Sequence, residues 1–585
     1  MDIGVGVGPL RSGRKRFWPG ALFEGGALGA WFDAAAAGGL WQDDAGAQPV
    51  LAAGQGVGRV RDGTLQGHDA LQASAGQRPT LGRTPAGGRR NLLNNSHNSG
   101  SWLTLHGGAG KAPLRNHLPA LAETPLPDGA SGAEASRGFT CTGLTWAEGD
   151  LWVGNYGLAS PGAPGAAPSL VRLSPDLGAV AAQIPIAANP QGLAFDGTWI
   201  YYAGSGANAG AGSIRRVAPD GSGDSHVHSL VDANALAHDA GRNGFWTSQF
   251  PGSTITLHSA DDWSVITSFD TGVMIDHAAL DPATGWLLIS SGNNDIEGRI
   301  GVYNPHTGSL LKQYVVIGGY AIEGLAVQGG EITAAFDGYY HRSEIANATY
   351  HTNRLSRLRI KPRANGLPAD LWRLDGGNLG HPNDFSCLQT DTPGASPASV
   401  TVSIVAAAYD DSAPVLALRH PSHGYAFPAL GPSWQTHALT AAGTPAPAPL
   451  QLLARAPVEG GSSSPVVFFW LEGAQYEAGT TATPCQQVNG AFDVTEAGQR
   501  SLAYFGHDLA DDALSATLPD LGSNATEFWA SAAAGVVINT GQTIGAGART
   551  LPQEDRLFAY GVIDRALTGA ETSALTAWLE TAAGV

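Results

Sequence analysis

The sequence predicts an all-β protein. It reads as a five-bladed β-propeller inserted before or into a jelly-roll-type β-sandwich, with a loop-rich N-terminal segment and a short C-terminal β part that ends in a helix. Three observations predict this. Glycine supplies 80 of 585 residues, about twice its usual share, which favours turns and short strands over long helices. Five segments between residues 143 and 335 repeat one strand pattern at nearly constant spacing. Alternating apolar and polar runs continue after the last repeat, and helical periodicity occurs only near the C-terminal end. With 15 Trp, 14 Tyr and 17 Phe the chain can fill several cores, and its length gives a prior of about four domains.

Residues 1–20 are Gly-rich and basic (Arg11, Arg14, Lys15, Arg16) and end at Pro19-Gly20, an extended attachment segment. Residues 21–137 read as a loop-rich docking or oligomerisation region. Turn signals interrupt Trp31-Phe32-Asp33, Leu40-Trp41-Gln42-Asp43 and Val57-Gly58-Arg59-Val60 every few residues. From Pro113 to Arg137 the composition is that of a Pro/Gly/Ala linker.

The propeller is expected over 138–362. Its inner strands begin at Gly143, Gly192, Ala235, Ala278 and Gly324, spaced by 49, 43, 43 and 46 residues. Each is followed by a second strand such as Asp150–Gly154 or Trp199–Ala203. A third follows, as in Ser169–Leu173 or Arg299–Tyr303, and a fourth such as Leu310–Val316. Four short strands every ~40–50 residues is the signature of propeller blades, which bury their faces only by closing radially on one another. Phe139–Thr142 is the expected closing strand beside the last blade. Beyond 362 the period stops. Residues 363–489 carry the alternating runs Ser399–Val405, Val415–Arg419, Leu450–Arg455 and Val466–Leu471, an antiparallel sandwich of jelly-roll type. Residues 490–585 form a small domain whose helix starts at Thr568, a fitting N-cap with Glu571 at the capping-box position.

Composition excludes several partners. A net charge of −18, with no basic cluster beyond that of residues 11–16, argues against nucleic acid and anionic membranes. No apolar run approaches the ~20 residues of a membrane span, and the first residues do not read as a secretory signal. Cys141, Cys387 and Cys485 lie too far apart to suggest a disulfide framework or a CxxC metal site. Four lysines beside 28 arginines point to a GC-rich bacterial or phage genome.

Ala30-Trp-Phe-Asp33, Leu40-Trp-Gln-Asp43, Pro49-Val50, Val57-Gly58, Gln72-Ala73 and Arg78-Pro79-Thr80 form a run that resembles the opening of tail-fibre and virion proteins of tailed phages, prophages and gene-transfer-agent-like particles. Asn91-Leu-Leu with Trp102 resembles the entry into a carbohydrate-binding-module-like jelly roll, and Trp470–Gly479 with Thr481–Pro484 resembles its end. Phe492–Gly498, Tyr560–Ile563 and Leu575–Leu579 are similar to pieces of a concanavalin-like lectin domain. The resemblance covers 21–102 and about 399–585. The family lacks the propeller, which therefore looks inserted near the first jelly-roll strands. The lectin-like tail is short for a full concanavalin-type sandwich.

Candidate chemistry centres on the residues that precede each inner strand: Thr142, Gln191, Asn234, His277 and Glu323. Glu, His and Asn converging on one axis suit a hard or borderline cation; the alternative is a polar, water-filled channel without chemistry. No other cofactor is expected. Asp276-His277 and His238-Asp239 are neighbours on strands, so each pair faces two ways and does not serve one site. Gly204–Gly212 and Ser290-Ser291-Gly292 lack the helix and Lys of a phosphate cradle. Trp102, Tyr156, Trp246, Tyr339 and Tyr340 are candidate loop aromatics for stacking on sugar rings.

The expected function is a non-enzymatic tail fibre or receptor-binding protein. It would attach a phage or phage-like particle to a bacterial surface polysaccharide, neutral or weakly charged, and contact baseplate or other tail proteins through its N-terminal region. The resemblance implies a homotrimer and a place in the virion tail. The alternatives are a glycan depolymerase or propeller lyase working through the channel, and a purely structural particle component.

Overall fold

The computed structural model describes residues 17–93 (except 37), 96, 103–104, 110–112, 114–115, 124–125 and 141–584. The last stretch lacks 157, 161–162, 165–167, 175–179, 206–211, 294–295, 317–321, 337–353, 376–386, 391, 394–396, 411–412, 423, 444–445, 455–465 and 497. The fold is all-β, with three β modules nested one inside another along the chain.

The innermost module is the five-bladed propeller. Its first blade runs from the inner strand Cys141–Ala147 through Asp150–Asn155 and Ser169–Leu173 to Val180–Pro185. The second starts at Asn189–Phe195, the third at Ala233–Asp239, the fourth at His277–Leu280 and the fifth at Ile322–Gln328. Successive inner strands pack side by side, and the fifth returns to the first. The repeated glycine has a steric reason. A Cβ on Gly143 would lie 2.6 Å from Leu193 N, one on Gly192 2.5 Å from Leu236 N, and one on Gly324 2.7 Å from Thr142 O. Each of these glycines lets its strand press against the backbone of the next blade.

Closure differs from the expectation. Cys141 and Thr142 open the first blade's inner strand, and the fifth blade takes its outer strand from Thr124–Pro125, paired with Leu355 and Arg354. The ring is thus locked by chain that enters before the first blade, and the propeller begins upstream of residue 138.

The jelly roll surrounds the propeller in sequence. One sheet has the order Gln435–Ala442, Ser399–Ala408, Val467–Ala478, Asp370–Leu374, Gly110–Lys111; the other is Gly424–Ala426, Ala417–His420, Gln451–Leu453, Cys387–Gln389, Leu103–Thr104. Each sheet therefore takes a strand from before the propeller, so the propeller is inserted into this sandwich. Val402, Ile404, Leu418, Leu452, Phe469 and Tyr476 fill the space between the sheets. A second core joins jelly roll to propeller, with Trp470, Tyr409 and Leu371 packed against Trp286, Tyr314 and Phe336 of the fourth and fifth blades.

The outermost module corrects the reading of residues 21–137 as a separate docking region and of 490–585 as a small domain of its own. Gly29–Asp33 pairs with Arg556–Ile563, and Thr80–Pro85 pairs with Ser501–Gly506. These strands join Gly522–Ser531 and Gly535–Ile544 in one sheet. The facing sheet has the order Leu40–Trp41, Arg59–Val60, Ala70–Leu71, Ser515–Leu518, Gly547–Thr550. Strands with an apolar face need partners, and here each end of the chain supplies what the other lacks. The sandwich that looked too short is completed by the N-terminal strands. The helix Gly569–Ala583 carries the expected capping box, with Thr568 Oγ1 accepting from Glu571 N at 3.2 Å and Thr568 N donating to Glu571 Oε2 at 2.8 Å. Its Leu575 and Leu579 cover the first sheet beside Phe528 and Phe558, and Trp578 meets Trp31 edge-on at 5.0 Å. Among the described residues no helix is long and apolar enough to cross a membrane.

Candidate functional site

Of the five positions at the head of the inner strands, Thr142, Asn234 and His277 reach backbone groups of other blades. Thr142 Oγ1 donates to Pro190 O of the second blade at 2.9 Å, and Asn234 Nδ2 donates to Ile275 O ahead of the fourth at 2.7 Å. His277 is fully buried. Its Nε2 lies 3.1 Å from Leu193 N and its Nδ1 3.2 Å from Leu325 N, so the ring sits between the second and fifth blades and, when neutral, accepts from one of the two amides. Burial pushes it down to about 3, and the facing N–H groups act in the same direction, because an imidazolium has no lone pair to accept with. Gln191 and Glu323 are half-buried, and burial lifts the Glu323 carboxyl well above the usual carboxylate range.

This geometry bears on the cation considered for the ring. Both His277 nitrogens face backbone N–H groups, which leaves the imidazole badly placed to ligate a metal. Among the described residues, three metal-ligating side chains come together only at Asp508, Asp511 and Asp512, in the loop after Ser501–Gly506. There the Asp508 carboxylate accepts from Ala510 N at 2.8 Å and Asp511 N at 3.2 Å, an ordinary turn cap.

A cavity of about 520 Å³ lies at the other end of the inner strands, lined by Trp146, Phe195, His238, Asp239, Arg242 and Asp281 among others. His238 and Asp239 both line this cavity but take different partners. The His238 ring packs 5.1 Å from Phe245 and is lowered by burial, whereas Asp239 is held by Arg242 at 2.6 Å and by Trp246 Nε1 at 3.1 Å. Trp246 is therefore not an exposed loop aromatic. It is completely buried, with Arg242 over its ring. Tyr156 is half-buried and its carbonyl accepts from Asn189 Nδ2. Trp102, Tyr339 and Tyr340, and the basic Arg11, Arg14, Lys15 and Arg16, lie outside the described residues.

Sequence reasoning missed the outward face of the end-built sandwich. Strand register lines up Trp41, Arg59, Leu71, Ser515 and Thr550 across five strands. Leu40, Val60, Ala70 and Ala516 alternate with them into the core. The signal was the Leu40-Trp41 and Arg59-Val60 alternation, too short in two-residue strands to stand out.

The sequence matches no protein-family model and no curated protein. Among solved structures, a glutaminyl cyclase from Myxococcus xanthus is 16% identical with a TM-score of 0.30, over 42% of this chain and 98% of that one. A gluconolactonase from Xanthomonas campestris is 16% identical with a TM-score of 0.25, over 44% and 100%. An exo-β-1,3-galactanase from Phanerochaete chrysosporium is 8% identical with a TM-score of 0.29, over 62% and 100%. Likenesses this distant carry no argument about activity.

Proposed function

We propose that this chain is a non-enzymatic attachment protein, a tail fibre or receptor-binding protein that holds a phage or phage-like particle to a bacterial surface glycan. One observation carries the reading. Thr142, Asn234 and His277, at the head of the inner strands, are taken up by contacts to backbone of other blades and so hold the ring together. Blades fixed in this way form a rigid scaffold, and a rigid scaffold suits recognition because surface connections can carry it without altering the core. The nested sandwiches support the same reading, since they supply a braced mount. Weak sites on several copies would act together.

The experiment is to incubate the full chain with purified capsule and lipopolysaccharide of candidate hosts. Saturable binding without new reducing ends or unsaturated products is expected. Chain shortening that disappears in His277→Ala and Glu323→Ala would overturn the reading in favour of a depolymerase or lyase.

A further inference from the structure

The outward face of the five-stranded sheet in the end-built sandwich is preorganised for a ligand. Arg59 is fixed on it from three sides. Its Nε and Nη2 lie 2.8 and 2.7 Å from Asp69 Oδ2, its Nη1 donates to Ala45 O at 3.1 Å, and its guanidinium carbon lies 5.3 Å from the centre of the Trp41 ring. Asp69 is fixed in turn, its Oδ1 accepting from Asp62 N at 2.9 Å. The loop that presents Ala45 is closed by Asp43, whose carboxylate accepts from Ala47 N at 2.9 Å and Gln48 N at 2.6 Å. Gly46 is required in it: its φ is 79°, and a Cβ there would sit 2.8 Å from Arg59 Nη1.

A cleft of about 360 Å³ opens between Arg59, His68 and Asp69 on one side and Ser515 and Thr517 on the other. That is at the lower end of the ~300–1,000 Å³ typical of small-ligand sites. His68 Nδ1 lies 2.9 Å from Thr517 O and so carries the proton, which leaves Nε2 as an acceptor. Each terminal nitrogen of Arg59 keeps one N–H beyond the contacts above. The cleft therefore offers paired donors, a carboxylate, an imidazole acceptor and hydroxyls, beside the Leu71 side chain, 43% exposed; the Trp41 ring lies under the Arg59 guanidinium and braces it.

Vicinal sugar hydroxyls donate and accept at once, and their C–H faces lie on flat apolar surfaces. One guanidinium against the carboxylates of Asp44 and Asp69 leaves no surplus positive charge for an anionic ligand. We propose that this cleft binds a neutral saccharide, with the Leu71 side chain as its apolar contact and Arg59, Asp69 and His68 reading its hydroxyls. The proposal rests on the glycan-attachment reading and adds a site outside the propeller.

The test uses the full chain against immobilised neutral oligosaccharides built from glucose, galactose, mannose and N-acetylglucosamine, with hyaluronate as the anionic control. Leu71→Ala and Asp69→Asn are each expected to weaken binding of a neutral oligosaccharide about tenfold or more. Leu71→Met should retain most of it, with thermal unfolding of all three close to the parent. Saturable binding unchanged in Leu71→Ala and Asp69→Asn would overturn this site and leave the attachment reading standing. Binding of hyaluronate in preference to every neutral probe would overturn the ligand class. A parent chain that binds no saccharide here and no host polysaccharide would overturn both.

Discussion

Lys312, on the outer strand of the fourth blade, is ion-paired with Asp370, the first residue of a jelly-roll strand. Lys111 at 3.3 Å and Arg363 at 3.1 Å reach the same carboxylate, whose side chain is 3% exposed. Beside it Tyr314 donates from its hydroxyl to Ala369 O at 2.5 Å. Burial pushes the Asp370 carboxyl up, but the three cations outweigh it and hold it below the usual value. The propeller and the jelly roll are thus joined through one anion that gathers cations from both sides.

Asp370→Asn should be strongly destabilising, by about 3–5 kcal/mol, because it leaves half-buried cations uncompensated. Differential scanning calorimetry of the full chain is expected to show the propeller and jelly-roll transitions separating. A lowered carboxyl stabilises the fold above its unfolded pKa of 3.8 and stops doing so as pH falls through the folded value. The joint should therefore loosen only in strong acid.

His277 sets a different pH dependence. The folded state holds the imidazole neutral down to about 3, whereas the unfolded chain takes up a proton below 6.5. Between those values the unfolded state binds more protons, so the ring loses up to about 1.4 kcal/mol of stability per pH unit as pH falls. The protection factors of the Leu193 and Leu325 amides, taken relative to the intrinsic exchange rate at each pH, should fall between pH 6 and pH 4 (about two units). In His277→Asn those amides should exchange faster at neutral pH and lose most of that pH dependence.

Gly192→Ala is expected to destabilise by roughly 1–3 kcal/mol or more, since the new methyl meets backbone of the third blade and not a movable side chain. Gly149→Ala, at a turn with open space but a φ of 87°, should cost only about 1–2 kcal/mol from backbone strain. Thermal unfolding of the two variants separates crowding from conformation.

Residues 490–585 expressed alone should not fold, because the sheet containing Ser501–Gly506 and Arg556–Ile563 then lacks Thr80–Pro85 and Gly29–Asp33. Adding residues 17–90 in trans is expected to restore near-ultraviolet circular dichroism from Trp31 and Trp578. A folded C-terminal fragment without that addition would contradict the shared sandwich.

Local pattern carried the blades, because each repeats a strand alternation within about 45 residues and punctuates it with turns. It also carried the helix, whose cap is a relation between Thr568 and Glu571, three residues apart. It did not carry the pairing of Gly29–Asp33 with Arg556–Ile563, since hydrogen bonds between backbones more than 500 residues apart leave no periodic trace. The closing strand Thr124–Pro125 is two residues long and has no alternation to detect. At the axis, sequence picked out the ring positions without their direction: the aim of Thr142 and Asn234 at carbonyls associated with the next blade depends on how the blades meet. Trp246 was misread for the same reason, because its indole partner Asp239 lies on the adjacent strand.

The nesting imposes an order of assembly. Residues 17–93 emerge from the ribosome some 400 residues before the strands that complete their sheets. The jelly-roll strands at 103–111 likewise wait for the propeller to be made. Folding must then proceed from the inside outward, with the propeller closing first and the two ends of the chain clasping last. The same wiring governs force. A pull applied between the first and last strands loads the clasp before it reaches any blade, so under tension the outer sandwich yields first and shelters the propeller.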